Sequence, residues 1–392
     1  VRDFSDRPMS DLTAEERGRY ARHLILPDVG IEGQQKLKSA SICVIGAGGL
    51  GSPALLYLAA AGIGRIGIVD DDLVDLTNLQ RQIIHSNAAI GEAKAESAAR
   101  RITELNPEVD VEIHNCRLGI ENALEILADY DIILDGVDNI PTRYIISDAC
   151  EILGKPWVYG SIFRFEGQIS LFNHLGGANY RDLFPNPPPP EAVPSCAEAG
   201  VLGVLPGVIG SIQATEALKV ILEIGESLSN KLLIYDAKNL DFKTLKIGDL
   251  PAREPVTKLT LLEAYCEAKP DTVSEPRTIA TENGELGSIQ CDEYLTKREE
   301  GWTPFLLDIR NAMEAEIVTL PNTDARIDLM ALMGRIHELP KDRDIVVYCR
   351  SGARSLSAAK AIKMAGFPNA VLNLTGGIHS WSDLVDSSVP KY

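Results

Sequence analysis

The chain has 392 residues, a formal net charge of -18 at pH 7 and 45% hydrophobic residues. That length allows two or three domains with sizeable cores, and the composition is that of an ordinary globular protein. The negative charge argues against a broad nucleic-acid or anionic-membrane surface, because Coulomb repulsion opposes contact with phosphates. No stretch reaches the ~18 unbroken apolar residues expected of a membrane-spanning helix. Val1–Asp6 lacks the apolar core of a signal peptide. The 7 cysteines lie far apart with no C-x-x-C pair, so neither a zinc ribbon nor a disulfide framework is expected. A reducing, cytoplasmic location fits this usage.

From Ser41 the pattern alternates short apolar runs with helical periods. Strands are expected at Ser41–Ile45, Ile66–Val69, Val109–Ile113, Asp131–Leu134 and Pro156–Tyr159, and helices at Ser52–Ala61, Glu92–Leu105 and Pro141–Leu153. Such alternation predicts an α/β fold, Rossmann-like, with a mainly parallel sheet and helices on both faces. Val201–Ile212 is the longest apolar run; Gly203, Pro206, Gly207 and Gly210 interrupt it, so it reads as a buried loop leading into a helix. Asn186–Pro190 must be extended, because proline forbids both helix and ladder bonding. Residues 251–285 are polar, with prolines at 255, 270 and 276, and read as a linker that ends a first domain at 1–250. Phe305–Asp308 and Ile345–Tyr348 then read as strands and Ser355–Ala365 as a helix, a second, smaller α/β domain over 286–392.

Gly46-Ala47-Gly48-Gly49-Leu50-Gly51 follows a strand and opens a helix. The glycines let the backbone turn tightly and approach a phosphate, and the helix N-terminus supplies unpaired N–H groups. Asp70 ends the next strand, where an acid can accept bonds from ribose hydroxyls. On these residues alone a dehydrogenase holding NAD or FAD fits equally well. Asp72, the run Thr77-Asn78-Leu79-Gln80-Arg81-Gln82 and Lys94 narrow the choice, since extra cations beside the crevice suit the triphosphate of ATP. Asp138-Asn139 lies beyond the fourth strand, at the end of an open sheet where ligands bind. A carboxylate there can hold Mg2+. Singly, Arg81 could be a surface ion pair, Lys94 a solvated helix residue and Asp138 a helix N-cap; their joint order favours the nucleotide reading. No Walker-A lysine pattern occurs, which excludes a P-loop ATPase.

The segment from Arg19 to about Leu250 resembles the MoeB/ThiF branch of the ubiquitin-activating superfamily. The motifs that carry the resemblance are Arg19-Tyr20-Ala21-Arg22-His23, the glycine loop, Asp70-x-Asp72, Asn78–Gln82, Lys94, Asp138-Asn139, Phe165-Glu166-Gly167-Gln168 and Pro194-Ser195-Cys196. It implies a homodimer in which Arg22 reaches into the partner's nucleotide site. It also implies adenylation, by ATP, of the C-terminal Gly-Gly carboxylate of a small ubiquitin-like sulfur-carrier protein. Two anions must meet in that reaction, so Arg81, Lys94 and Arg22 would offset the repulsion, and Mg2+ near Asp138 would neutralise the leaving pyrophosphate. Cys196 matches the family's conjugating cysteine, able to form a thioester or disulfide; by itself it reads equally as a buried free cysteine. Relatives often carry two C-x-x-C pairs that bind structural zinc. Here Asn179-Tyr180-Arg181-Asp182 stands at the first place and Pro251–Val256 has no cysteine. No zinc is therefore expected, and hydrophobic contacts or side-chain bonds must hold that region.

Cys349-Arg350-Ser351-Gly352-Ala353-Arg354 follows a strand and precedes a helix. A loop at a helix start points several N–H groups inward as an anion nest, and the two arginines add positive charge. Both effects favour a thiolate, and the same cradle would stabilise a persulfide. A cysteine phosphatase needs C-x-x-x-x-x-R to enclose phosphate; here Ser355 stands at that offset and Arg354 closes a shorter loop, which suits sulfur. Residues 286–392 resemble a single-domain rhodanese: Leu307-Asp308-Ile309-Arg310 matches D-V-R, and Thr375-Gly376-Gly377-Ile378-His379-Ser380-Trp381 matches G-G-x-x-x-W. The usual G-H-I-P-G-A segment is poorly kept around Ile317–Arg326.

The combined reading is an enzyme that adenylates a sulfur carrier and then transfers sulfur from a Cys349 persulfide to give a thiocarboxylate. Thiosulfate or a cysteine desulfurase would be the sulfur donor. The alternative is an adenylyltransferase whose rhodanese domain only binds partners. Molybdenum-cofactor, thiamine, cysteine and tRNA-thiolation routes all remain open as the setting.

Overall fold

The computed structural model describes residues 10–188, 200–248, 253–260 and 286–392. Cys196, most of the 251–285 segment and the end of the proline run lie outside the described residues. The chain divides into two compact units, with the boundary between Ala268 and Lys269. Each has its own sheet.

The first sheet is built from β1 (Ser41–Ile45), β2 (Arg65–Val69), β3 (Asp110–His114), β4 (Ile132–Asp135), β5 (Trp157–Phe163), β6 (Glu166–Phe172), β7 (Lys231–Asp236) and β8 (Asp241–Lys246). Its order is β3-β2-β1-β4-β5-β6-β7-β8. The strands from β3 to β5 pair in parallel, and β5 to β8 in antiparallel.

Strand β1 shows why its apolar run is continuous rather than alternating. Successive side chains point to opposite faces, and both faces are covered. Ile42 and Val44 pack with the helices Gly51–Ala61, Lys94–Leu105 and Leu205–Leu222. Cys43 and Ile45 pack with the helices Ala123–Ala128 and Ile140–Leu153. Helix ends follow local chemistry. Asn139 caps Ile140–Leu153 through its side chain, Pro141 takes the first turn, and Gly154 ends it at φ 64°.

The run from Val201, expected to be a buried loop leading into a helix, turns helical at Leu205, inside the run. Pro206 occupies the first turn, where its missing N–H has no intrahelical partner to lose. Gly210 lets the Leu50 carbonyl and Pro53 of the neighbouring segment approach the helix backbone. Leu205–Leu222 is the one described helix long and apolar enough to cross a membrane, and it lies against the first unit's core.

Arg253–Thr260, assigned to a linker by composition, includes residues that pack on the first unit. Leu259 joins the partly buried hydrophobic residues around its core. Arg253 donates to Asp182 at 2.7 Å and to Glu151 at 2.5 Å, and Glu151 also accepts from the Val256 N–H and the Asn179 amide. Arg181 forks onto Asp148 beside them. Side-chain ion pairs thus tie Arg253–Val256 to the segment around Asn179–Asp182, the two places at which the resemblance would put cysteine pairs. Arg253→Ala should destabilise the first unit by about 2 kcal/mol, because two part-buried carboxylates lose a charged donor. Calorimetry should show its melting transition lowered by roughly 4–8 °C. Arg253→Lys should recover only part of this, since one ammonium cannot fork across two acids.

The second sheet comprises β9 (Leu286–Ile289), β10 (Phe305–Asp308), β11 (Ala325–Arg326), β12 (Ile345–Tyr348) and β13 (Val371–Leu374), ordered β11-β10-β12-β13-β9 and parallel throughout. Leu307 and Val347 pack with the helix Ala353–Met364; Leu306, Val346 and Tyr348 pack with Cys291–Glu299 and Gly377–Leu384.

Candidate active sites

The strand order of the first sheet reverses between β1 and β4, and the crevice beyond that switch point is where open α/β sheets bind ligands. A cavity of about 680 Å³ opens there. Gly46 has φ 94°, and a Cβ on it would lie 2.7 Å from the Gly136 carbonyl oxygen. A Cβ on Gly51 would drive into the Gly46 carbonyl, and one on Gly49 would press on Pro206 at 3.2 Å. Gly48 is different: its Cβ would meet only the Gln82 amide, at 3.6 Å. Gly46 and Gly51 therefore shape the turn, Gly49 packs it, and Gly48 keeps the cavity side bare.

Asp70 braces the turn from β2. It accepts the Ala47 N–H at 2.8 Å and the Asp72 N–H at 2.9 Å. Burial pushes its carboxyl above the ordinary range, against the pull of those donors and of Lys94. His85 braces the other side, with Nε2 2.9 Å from the Ala47 carbonyl and Nδ1 2.9 Å from Ser97 Oγ. A carbonyl only accepts, so Nε2 carries the proton. Burial lowers the imidazole pKa.

Arg81, Gln82, Lys94, Asp72, Asp138 and Asn139 all line the cavity with the glycine turn. Lys94 is buried and pairs with exposed Asp72 at 2.7 Å. Arg81 donates to the Thr77 carbonyl at 3.0 Å. Thr77, Asn78, Leu79 and Gln80 do not line the cavity; they form the turn that delivers Arg81 and Gln82 to it. Thr77 donates to Asp75 through its N–H and hydroxyl, and the Gln80 side chain packs where Gly203 leaves room. Asn139, not Asp138, caps the following helix, accepting the Thr142 N–H at 3.0 Å. Asp138 is left exposed on the cavity wall. Arg22 sits on the short helix Ala21–Leu24, exposed and off the cavity wall.

Arg143 is a site residue that motif reading passed over. Its guanidinium donates to Asp135 at 3.3 Å, to the Val137 and Gly160 carbonyls at 2.8 and 3.1 Å, and to Ser161 Oγ at 3.2 Å. It ties the end of β4 to the middle of β5 and so fixes the segment that carries Asp138. Burial pushes the Asp135 carboxyl up to about 6, while Arg143 and the Val137 N–H pull the other way.

In the second unit Cys349 follows β12 and is fully buried. Its sulfur accepts the Gly352 N–H at 3.2 Å and lies 3.3 Å from Ser355 Oγ. Gly352, at φ 90°, leaves space for Gly376 N, which a Cβ would approach to 2.7 Å. The Ile378 and His379 N–H groups donate to the Cys349 and Arg350 carbonyls. The cysteine loop and the Gly376-Gly377 loop thus interlock. Ser351 and Ala353 face solvent, while Arg350 is half-buried. Arg354 does not stand as a bare cation over the sulfur: Glu314 binds it through both oxygens, at 2.6 and 2.9 Å. A capping box with Asn311 sets Glu314 in place. The weakly matched segment after Ile317 is still pinned to β12, since the Leu320 N–H and Thr323 Oγ1 both meet the Tyr348 hydroxyl.

A phosphate turn in one unit and a sulfur cradle in the other place the chain among nucleotide-binding α/β enzymes that also handle sulfur. The sequence model of the ThiF family matches residues 20–256, and that of the rhodanese-like domain matches residues 291–384. The chain belongs to the ThiF family and carries a rhodanese-like domain after the ThiF region. It is 44% identical over 390 residues to the probable adenylyltransferase/sulfurtransferase MoeZ of Mycobacterium tuberculosis, covering 98% of this chain and 97% of that one. It is 40% identical over 400 residues to the adenylyltransferase and sulfurtransferase MOCS3-2 of Zea mays, covering 98% and 83%. The chain is accordingly an adenylyltransferase and sulfurtransferase, and its ThiF domain uses ATP. Among solved structures, E. coli MccB with MccA-N7isoASN aligns at a TM-score of 0.55 and 21% identity, over 61% of this chain and 75% of that one. That likeness is one of fold.

Proposed function

We propose that the first unit adenylates the C-terminal Gly-Gly carboxylate of a small ubiquitin-like sulfur carrier, and that Cys349 then supplies sulfur to it as a persulfide. The observation that carries this is the convergence of Arg81, Lys94 and Asp138 on the cavity beyond the glycine turn. A carboxylate oxygen attacks the α-phosphorus of ATP, and pyrophosphate leaves with the bonding pair. Arg81 and Lys94 offset the charge that builds up as the two anions meet. Asp138, freed from capping by Asn139, offers the hard oxygen that Mg2+ prefers. Bound there, the metal would neutralise phosphate charge. Gly46, Gly48, Gly49 and Gly51 would seat the phosphates, Asp70 the ribose, and Thr77–Gln82 the turn that presents Arg81.

Arg22 would act in trans in a homodimer, as its place away from its own cavity allows. The outer sulfur of the Cys349 persulfide attacks the acyl-adenylate carbonyl and AMP leaves. A thiol, Cys196 or an external dithiol, attacks the inner sulfur and releases the thiocarboxylate, leaving a disulfide to be reduced. Arg350, Ser351, Gly352, Ala353 and Arg354 form the persulfide loop, with a cysteine desulfurase or thiosulfate as donor. Functional boundaries at 1–250, 251–285 and 286–392 and a cytoplasmic setting go with this reading. The test is to incubate the enzyme with ATP, magnesium, a Gly-Gly-ending carrier and thiosulfate. Mass spectrometry should show one carrier oxygen replaced by sulfur; an unchanged carrier beside active ATP–pyrophosphate exchange would remove the sulfur step.

A further inference from the structure

We infer that Ser355 is a catalytic residue of the sulfur-transfer site, a hydroxyl that donates to Cys349 Sγ whenever that sulfur carries negative charge. The inference rests on the sulfur-transfer reading of the Cys349 loop. Ser355 lies in the first turn of the helix Ala353–Met364 and, like Cys349, has no exposed surface. Its Oγ is 3.3 Å from Sγ and 3.0 Å from the Gly352 carbonyl oxygen. The hydroxyl has one proton and two neighbours that can accept it.

With Cys349 as a thiol, S–H can donate to Ser355 Oγ while the serine proton goes to the Gly352 carbonyl. With Cys349 as a thiolate, the serine proton turns to the sulfur and joins the Gly352 N–H, which donates to Sγ at 3.2 Å. Ser355 has no exposed surface, so bulk water does not stand in for its hydroxyl when that is removed. An anion buried without its donor is costly in a way that an exposed one is not.

The charge on Sγ matters when the sulfur is loaded and when it is passed to a small acceptor. On loading, the Cys349 thiolate attacks the sulfane sulfur of the donor; an S–S bond forms to Sγ, the donor's own bond to that sulfur breaks, and the donor fragment leaves with the pair. On discharge to a thiolate or cyanide, the acceptor attacks the outer sulfur and Cys349 leaves with the pair as a thiolate. Ser355 meets the same anionic Sγ in each case. Charged or titratable groups on and around the loop include Arg350, Arg354 with Glu314, the Asp308–Arg310 pair, His379 and Cys291, which contacts the Gly377 carbonyl. Ser355→Ala leaves all of them in place, so a difference between variants reports the hydroxyl.

The experiment alkylates the full chain with iodoacetamide across a pH series, follows the Cys349 peptide by mass spectrometry, and compares wild type, Ser355→Ala and Ser355→Thr at matched thermal stability. At neutral pH Ser355→Ala should be alkylated about tenfold more slowly, as expected for loss of one hydrogen bond to a charged group. The deficit should close as the pH rises, because base then makes the thiolate unaided, and Ser355→Thr should restore the wild-type profile. Thiocyanate formation from thiosulfate and cyanide should fall in parallel, with ATP–pyrophosphate exchange unchanged. Superimposable alkylation profiles for wild type and Ser355→Ala, or a deficit that persists at high pH, would overturn the inference. Alkylation reads the sulfur itself, so it stays decisive even if no carrier is ever thiocarboxylated.

Discussion

Gly51→Ala is expected to lower ATP–pyrophosphate exchange by about 10²-fold or more, because displacements of an ångström in a site that works by positioning have that effect. The new Cβ would sit far inside van der Waals contact with the Gly46 carbonyl oxygen. Nothing there is a flexible side-chain tip; the obstacle is backbone. Gly46 cannot retreat either, since Gly46 and Gly136 already approach so closely that a Cβ on either would lie 2.7 Å from the other's carbonyl oxygen. The turn between β1 and the helix Gly51–Ala61 must therefore deform where phosphates would be seated. Gly48→Ala is the matched control. Its Cβ meets only Gln82 Nε2 in ordinary contact, so the turn should keep its shape and any loss should appear as weaker nucleotide binding. Calorimetric titration with ATP separates the two, and sulfur transfer to cyanide should survive in both. Normal exchange in Gly51→Ala would mean that the turn does not hold the nucleotide.

Much of this site was open to reading along the chain, and the reason is local. A glycine spacing after an all-apolar strand states its own purpose, as does a cysteine flanked by glycine and arginine at a helix start. Strands β1, β2, β4 and β12 could be picked out because both of their faces are buried and their runs are unbroken. The exposed edge strand β8, Asp-Phe-Lys-Thr-Leu-Lys, carries no such signal. What stayed hidden depends on residues distant in sequence. Arg143 matters because β5 lies beside β4, which brings Gly160 and Ser161, 17 and 18 residues away, onto its guanidinium. His85 matters because the fold sets it under the Ala47 carbonyl, 38 residues earlier. Arg354 looked like bare positive charge until Glu314, 40 residues before it, was found holding it. The start of the helix at Leu205 was concealed by Pro206, Gly207 and Gly210, whose effects on a helix depend on position within it. Proline is harmless in a first turn, and Gly210 is there for the close approach of Leu50.

Cys349→Ser should leave ATP–pyrophosphate exchange at the wild-type rate and reduce thiocarboxylate formation by something on the order of 10³-fold or more, the scale of losing a covalent nucleophile. Serine is nearly isosteric and can still accept from Gly352 N–H and meet Ser355, so the loop should keep its shape. What it cannot do is carry a second sulfur. The acyl-adenylate would then form and wait, and an outside nucleophile should be able to take over. Free sulfide, attacking the same carbonyl with AMP as leaving group, is expected to restore thiocarboxylate in Cys349→Ser, because it bypasses the persulfide altogether. It should do nothing for Gly51→Ala, which fails before an acyl-adenylate exists. This pair of outcomes separates the two half-reactions in one assay of the carrier's mass. If Cys349→Ser made thiocarboxylate from thiosulfate as fast as the wild type, the rhodanese-like unit would have no chemical part in the sulfur step. If sulfide failed to rescue it, the missing function would lie upstream, in the adenylating cavity rather than at the cysteine.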